Sequence, residues 1–186
     1  MIEICGFVGS PEEEEVCSVL GVNLVFAGFA LVLNGLSYKM PVDDRVKGVV
    51  NLLVGLIIAI NAVVQTGAAH NHITFGFAAA MWMFALNYFI VAAHIFFKSD
   101  NWNVFGIFSL FATIVSLVFA GDVLFGDGPP VMIYLWLMWA VLWLQSFCAI
   151  ILRVKAIDKA GPYVLVVNGI ASTFVPGLLI LLGLIL

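Results

Sequence analysis

The chain has 186 residues, of which 64% are hydrophobic and 10% are charged, and its mean hydropathy is +1.18. A soluble domain carries about 25% charged residues, so this composition excludes a soluble protein and indicates a membrane protein. The pI near 5.1 and the net charge of −4 argue against nucleic acid as a partner. The cysteines lack the spacing of metal ligands, so we expect no metal and no cofactor.

The first segment of the chain, residues 1–19, is a short tail that includes four consecutive glutamates from Glu12 to Glu15. It lacks the basic start and the apolar core of a signal peptide. We therefore expect two regions, an acidic tail over residues 1–19 and a membrane domain over residues 20–186.

Six apolar runs follow the tail, and each is long enough to cross a bilayer. Backbone groups in lipid must be hydrogen-bonded within their own segment, so these runs are predicted to be helices. The sequence thus predicts an all-α integral membrane protein with six transmembrane helices, at about 20–38, 48–66, 74–97, 103–121, 131–152 and 163–186.

Every basic residue lies in the first, third or fifth connection between these runs: Lys39, Arg45, Lys47, Lys98, Arg153, Lys155 and Lys159. The positive-inside rule makes those connections cytoplasmic. Both termini are then extracytoplasmic, and so is the acidic tail. The predicted location is multi-pass in the cell membrane.

A faint repeat links the cytoplasmic connections, which carry Asp43, Asp100 and Asp158 at intervals of 57 and 58 residues. One interpretation is three repeated two-helix hairpins around a central pore, as in transporters built from parallel repeats. The alternative is that short connections and spans of equal length produce an even period by themselves.

By these boundaries no run contains Asp, Glu, Lys or Arg. Intramembrane charges mark ion paths and proton relays, so their absence speaks against an ion-coupled pump. The runs also lack a Ser–His–Asp, Cys–His or paired-carboxylate arrangement, so we do not expect an enzyme.

Neutral polar and small residues inside the runs are expected to join helices. Amides buried in lipid need partners, and Asn34, Asn51 and Asn61 are interpreted as interhelical hydrogen-bonding groups. Two rows of small residues predict close-packed seams: Ala112, Ser116 and Ala120 on the fourth helix, and Gly169, Thr173 and Gly177 on the sixth.

The fifth run carries Trp136, Trp139 and Trp143 on one helical stripe. Membrane tryptophans usually lie at the headgroup boundary, but Trp143 is roughly 18 Å deep at ~1.5 Å per residue. Estimated depths place these rings in a descending series with residues of the third and sixth runs, namely Phe84, Tyr88, Ser172 and Asn168. The series is either a slit for a solute or a packed aromatic core.

A slit of this kind suits small, flat, uncharged solutes such as urea and short amides. Aromatic faces can stack on a planar amide, while the Tyr88 hydroxyl, Asn168 and the indole N–H groups replace hydrogen bonds lost from water. An ion finds no opposite charge there and faces a large desolvation penalty.

The sequence resembles the AmiS/UreI family of urea channels and amide transporters over residues 21–182. The motifs that carry the resemblance are LNG at Leu33–Gly35, VNLLVGL at Val50–Leu56, Phe84 with Tyr88, Asp100 followed by FSLF at Phe108–Phe111, W-x-x-W-A-V-L-W-L at Trp136–Leu144, and NGIASTFVP at Asn168–Pro176.

The resemblance implies six helices per protomer, a homohexameric ring in the lipid bilayer and a separate solute path through each protomer. It implies passive passage of urea or short aliphatic amides. The family positions that narrow the path match Phe84, Tyr88, Trp139, Leu142 and Trp143. A cytoplasmic amidase or urease is a candidate partner.

Three features depart from the family pattern. Asn168 stands where most members carry a glutamate, which puts a preference for urea in question. The second connection is short, and its His70 and His72 are either pH sensors or solvated loop residues. The tail is additional, and its Cys5 and Cys17 could form a disulfide in an oxidising exterior.

The sequence therefore predicts a passive, oligomeric channel for small neutral polar solutes. An ammonia-conducting channel is a near alternative, because an aromatic slit also suits a small neutral base. A membrane scaffold subunit with a closed aromatic core and no transport is the alternative from another class.

Overall fold

The structure is a computed structural model that describes residues 11–126 and 129–185, with the side chains of residues 11–18 and of Ile73 left aside. The described chain is helical throughout, with short connections. Six spans cross the molecule: α1 (Pro11–Leu36), α2 (Asp44–Ala68), α3 (His72–Phe96), α4 (Asn103–Phe125), α5 (Pro130–Ile150) and a sixth composed of α6 (Lys155–Asn168), a π-helical segment (Gly169–Phe174) and α7 (Val175–Leu181).

The six predicted spans are confirmed, but several helices begin earlier than the apolar runs. Helix α1 begins at Pro11 and α6 at Lys155, because polar residues can continue a helix beyond the hydrocarbon region that hydropathy detects. Helix α2 begins at Asp44, because the Asp43 side chain accepts hydrogen bonds from the backbone N–H groups of Arg45 and Val46, at 2.8 and 3.1 Å.

The helices pack most extensively as three pairs. Helix α2 lies along α3, α4 lies along α5, and α1 lies along all three parts of the sixth span. Of these pairs, α2–α3 and α4–α5 are joined by the connections that carry no Lys or Arg. The helices joined by the basic connections pack against each other less, so the predicted hairpin repeat stays a prediction. The extracytoplasmic orientation of the termini also stays a prediction.

A row of glycines on α1 brings it against the sixth span. Gly21, Gly28 and Gly35 are seven residues apart and face Gly177, Gly169 and Pro162 in turn. A Cβ atom added at Gly28 would lie 2.7 Å from the Gly169 carbonyl oxygen, so the two backbones touch. This contact explains the seam predicted on the sixth helix, since small residues let membrane helices approach closely. The fourth-helix seam is also buried, at Ala112, Ser116 and Ala120.

Two asparagine pairs join α1 to α2, which confirms the interhelical role predicted for these amides. Asn34 and Asn51 exchange reciprocal hydrogen bonds of 2.8 and 2.9 Å, and Asn51 also donates to the Lys47 carbonyl oxygen at 2.9 Å. Closer to the opposite end of the two helices, Asn61 donates to Asn23 Oδ1 at 2.7 Å. Each pair supplies hydrogen-bond partners for amide groups that would find none in lipid.

We expect Gly28→Ala to destabilise the fold by about 1–3 kcal/mol, because the added methyl group meets backbone atoms that cannot move independently. Thermal unfolding of the purified protein in detergent measures the effect. The matched control is Gly121→Ala on α4, where nothing lies within 4 Å of an added Cβ atom. Equal unfolding midpoints for the two variants would contradict the close packing of α1 on the sixth span.

We expect Asn51→Leu alone to cost more stability than Asn34→Leu combined with Asn51→Leu. The single change leaves the Asn34 amide without its partner, whereas the double change removes both groups. Interhelical hydrogen bonds in membranes contribute about 0.6 kcal/mol on average, so the coupling between the two sites should be of this order. Denaturant titration of the two single variants and the double variant measures it, and strictly additive effects would contradict the reciprocal pair.

Candidate functional site

Four aromatic rings from α3 and α5 form one buried cluster in the centre of the bundle. Phe84 lies between the others, with ring centroids 5.3 Å from Trp139, 5.2 Å from Trp143 and 6.5 Å from Tyr88. All four side chains are at most 3% exposed. The structure thus brings together four of the residues predicted for the solute path.

The cluster fills a gap between helices that do not otherwise meet. In the described part of the chain, no Cα atom of α3 lies within 8 Å of a Cα atom of α5. Phe84 and Tyr88 are one turn apart on α3, and Trp139 and Trp143 are one turn apart on α5, so each pair points to one side of its helix. Contacts between side chains, not between backbones, therefore bridge α3 and α5.

On one side of the cluster lies a cavity of about 1000 Å³, which we call the inner vestibule. Its lining includes residues from all six spans, and Leu142 and Trp143 lie at its deep end. Its charged lining residues come from the ends of the helices and from the basic connections: Lys47, Asp100, Arg153, Lys155 and Asp158. The vestibule therefore opens on the side predicted to be cytoplasmic.

Neutral polar groups line the interior of the vestibule. Asn34, Asn87, Gln145 and Ser146 contribute amides and a hydroxyl to its wall. Trp143 Nε1 is buried and has no hydrogen-bond partner among the described residues, and the same holds for Gln145 Oε1. One donor and one acceptor on residues of the vestibule wall therefore lack a protein partner.

Sequence reasoning did not assign Asn87 and Gln145 to the site, although both are intramembrane amides. Asn87 precedes Asp100 by thirteen residues and Gln145 precedes Asp158 by the same interval, and this equal position in the faint repeat was the available signal. The structure places both on the vestibule wall.

On the other side of the cluster lies a much smaller cavity of about 10 Å³, which we call the outer cavity. Phe84, Trp139 and Asn23 of α1 are among its lining residues. Neither Phe84 nor Trp139 lines the vestibule, whereas Trp143 does. The Phe84, Trp139 and Trp143 rings therefore separate the two cavities, and we call these three side chains the aromatic partition.

Hydrogen bonds to backbone carbonyl groups hold two of the rings in place. The Tyr88 hydroxyl donates to the Ala27 carbonyl oxygen at 2.7 Å, and Trp139 Nε1 donates to the Ser172 carbonyl oxygen at 3.3 Å. In a regular helix that carbonyl group would accept from residue 176, but Pro176 has no N–H. The proline and the π-helical segment thus leave an acceptor for the indole.

The sixth span places Asn168 and Ser172 beside the cluster rather than along either cavity. Both are buried, and the Ser172 hydroxyl donates to Asn168 Oδ1 at 2.8 Å. Neither residue lines the vestibule or the outer cavity. A role for these two residues in contacting the solute stays a prediction, and the contacts described support a role in positioning the Trp139 indole.

Trp136 packs behind the partition, away from both cavities. Its ring stacks on Phe119 of α4 at 5.0 Å and meets the Trp139 ring edge-on at 5.1 Å. Trp136 therefore fixes the orientation of Trp139 from the α4 side, and its predicted place in the solute path is not tested by these contacts.

The two histidines predicted to respond to pH lie at the other end of the molecule from the vestibule. His70 and His72 are exposed, and His72 Nε2 lies 3.8 Å from Asp122 Oδ2, an ion pair that requires a protonated imidazole. Cys5 and the side chain of Cys17 lie outside the described residues. The pH-sensing role and the disulfide stay predictions.

The mouth of the vestibule is shaped by His94. Its Nδ1 and Nε2 atoms lie 2.9 Å from the carbonyl oxygens of Ile90 and Asn101, and its ring stacks on Trp102 at 4.2 Å. Asn101 and Trp102 line the vestibule, so His94 positions part of its rim.

The chain is similar in sequence to known transport proteins. The chain is 28% identical over 166 residues to a "Putative amidate substrates transporter protein" of Mycolicibacterium smegmatis, covering 88% of this chain and 76% of that protein. It is 28% identical over 193 residues to the acid-activated urea channel of Helicobacter pylori strain J99, covering 87% of this chain and 97% of that channel.

Solved structures of the Helicobacter pylori urea channel share the fold. The cryoEM structure of its closed state matches with a TM-score of 0.78 at 27% identity, covering 88% of this chain and 98% of that one. The crystal structure matches with a TM-score of 0.72 at 27% identity, covering 86% and 96%. The family model for AmiS/UreI family transporters matches residues 19–184, and the chain therefore belongs to the AmiS/UreI family of transporters.

Proposed function

We propose that this protein is a passive channel for small neutral polar solutes, namely urea and short-chain aliphatic amides. The observation that carries the proposal is the aromatic partition, which separates a large vestibule from a small outer cavity. The interior of the vestibule is lined by neutral polar side chains, and the rings of the partition meet without a charged side chain between them. The transporter and urea-channel relatives support it. Enzymatic activity forms no part of this proposal.

The geometry favours flat, uncharged molecules. Once the rings move apart, a planar amide can stack on the faces of Phe84 and Trp143. Trp143 Nε1, which has no protein partner among the described residues, is then a donor for the carbonyl oxygen of the amide. A hydrated ion would lose its water at the rings and gain no opposite charge. The partition would therefore pass neutral solutes and hold back protons and ions.

The small volume of the outer cavity limits which solutes can pass without movement of the rings. A volume of about 10 Å³ holds about one water molecule, so urea requires the rings to move aside as it passes. Ammonia is close to water in size, and this observation favours an ammonia-conducting channel as the second candidate. A scaffold subunit with a closed core has less support, because the vestibule reaches from the molecular surface to Trp143.

We propose that each protomer carries its own path within a homo-oligomeric ring, with a hexamer as the expected assembly. All six spans of a single chain line the vestibule, which supports a path inside the protomer rather than between protomers. A cytoplasmic amidase or urease that consumes the solute is a candidate functional partner on the vestibule side.

We expect Trp143→Ala to raise the permeability of acetamide relative to urea several-fold, because loss of the indole widens the partition at its vestibule face. Stopped-flow light scattering on proteoliposomes with urea, acetamide or formamide, at pH 7 and pH 5, measures the effect. The matched control is Trp82→Ala on α3, whose ring is 37% exposed and lies outside the cluster.

A closed aromatic core gives a different outcome for the same variant. Loss of a packed tryptophan would then cost on the order of 3–5 kcal/mol in stability, and the permeabilities would not change. Wild-type proteoliposomes that are no more permeable to any of the three solutes than empty liposomes would contradict the proposed channel.

A further inference from the structure

Asn87 of α3 carries an amide that the fold leaves without a partner. Its side chain lines the vestibule and is 6% exposed. Within residues 11–126 and 129–185, no group hydrogen-bonds to this amide. The unpartnered atoms on the vestibule wall that are closed off from water are Trp143 Nε1 and Gln145 Oε1, whereas both polar atoms of Asn87 remain accessible. Asn87 therefore presents an unpaired donor and an unpaired acceptor to the vestibule.

Asn87 lies directly on the vestibule side of the aromatic partition. It follows Phe84 by three residues on α3, which is a rise of about 4.5 Å along the helix axis. Val91 and Ile95 continue the same face of the helix at intervals of four residues, and both also line the vestibule. A solute that moves through the vestibule toward the rings thus meets the Asn87 amide just before it meets the Phe84 ring.

The Asn34–Asn51 pair shows how one amide of this protein recognises another. Each Nδ2 atom donates to the Oδ1 atom of the other residue, at 2.8 and 2.9 Å. This reciprocal pairing needs an N–H and a carbonyl oxygen on the same side of each planar group. Urea, formamide and acetamide have this arrangement, because each carries an NH₂ group beside its carbonyl oxygen. Each of these solutes can therefore take the place of a second asparagine against Asn87.

We propose that Asn87 is a specificity-determining residue that pairs reciprocally with the amide group of urea or a primary aliphatic amide on the vestibule side of the aromatic partition. The inference rests on the proposed channel function. Asn87 Nδ2 donates to the carbonyl oxygen of the solute, and Asn87 Oδ1 accepts from an N–H of the same molecule. A solute must lose water before it enters between the rings, and one residue then replaces two of its hydrogen bonds.

Reciprocal pairing distinguishes primary amides from other small neutral solutes. Ammonia has no carbonyl oxygen. N-methylacetamide has both an N–H and a carbonyl oxygen, but they lie on opposite sides of the molecule, because simple secondary amides are almost entirely trans. It therefore cannot make both hydrogen bonds with Asn87 at once. The comparison of acetamide with N-methylacetamide thus reports on the paired geometry rather than on the polarity of the wall.

The test compares Asn87→Leu with Val91→Leu by stopped-flow light scattering on proteoliposomes, with urea, acetamide and N-methylacetamide as solutes. Asn87 has no partner among the described residues, so its replacement leaves no protein group unpaired and we expect the fold to be retained. Thermal unfolding in detergent checks this, and Asn87→Ala takes the place of the leucine variant if that variant does not assemble. Val91→Leu is the matched control, since it changes the same wall of the vestibule without loss of a polar group.

We expect Asn87→Leu to lower the urea and acetamide permeabilities, corrected for empty liposomes, about threefold to tenfold, as for a lost hydrogen bond. The N-methylacetamide permeability should change about twofold or less, and Val91→Leu should keep the wild-type values. Unchanged acetamide permeability in Asn87→Leu, an equal fall for N-methylacetamide, or an equal fall in Val91→Leu overturns the inference. In these cases the proposed channel stands as long as the wild-type protein conducts urea or acetamide. A wild-type protein that conducts neither overturns both.

Discussion

The structure depends on the packing of Phe84 against Trp139 and Trp143 across the gap between α3 and α5. The backbones of these two helices do not meet, so α3 and α5 are joined at this level by side-chain contacts. Contacts between side chains can rearrange by rotamer changes, whereas a contact between backbones would need a helix to move. A barrier made of rings can therefore be tight at rest and still let a small molecule pass.

Helix α1 and the sixth span hold the rings of this barrier in place. Helix α1 approaches the sixth span through Gly28 and Gly169, and its Ala27 carbonyl group accepts the hydrogen bond from Tyr88. The sixth span in turn supplies the Ser172 carbonyl group to the Trp139 indole. The π-helical segment lies at that point, and such segments often mark functional sites in helical proteins. The close packing of α1 thus has a direct consequence for the orientation of two rings.

Hydropathy and helical periodicity predicted most of the fold and part of the site. The apolar runs located six spans, because lipid imposes length and composition on each of them. The i, i+4 spacing of Phe84 with Tyr88 and of Trp139 with Trp143 predicted that each pair shares a helix face. The sequence did not show which helices pair, since that depends on where small residues let backbones touch. It also did not show which polar atoms are free: Asn23, Asn34, Asn51 and Asn61 look alike in sequence, and only their neighbours distinguish them.

The central claim is that neutral polar solutes cross the aromatic partition and ions do not. The most direct test measures urea flux and proton leakage on the same wild-type proteoliposomes, loaded with a pH-sensitive dye. We expect urea to equilibrate faster than in empty liposomes, while an imposed pH gradient decays no faster than it does without protein. Urea flux at the rate of empty liposomes, or a rapid collapse of the pH gradient, would contradict it.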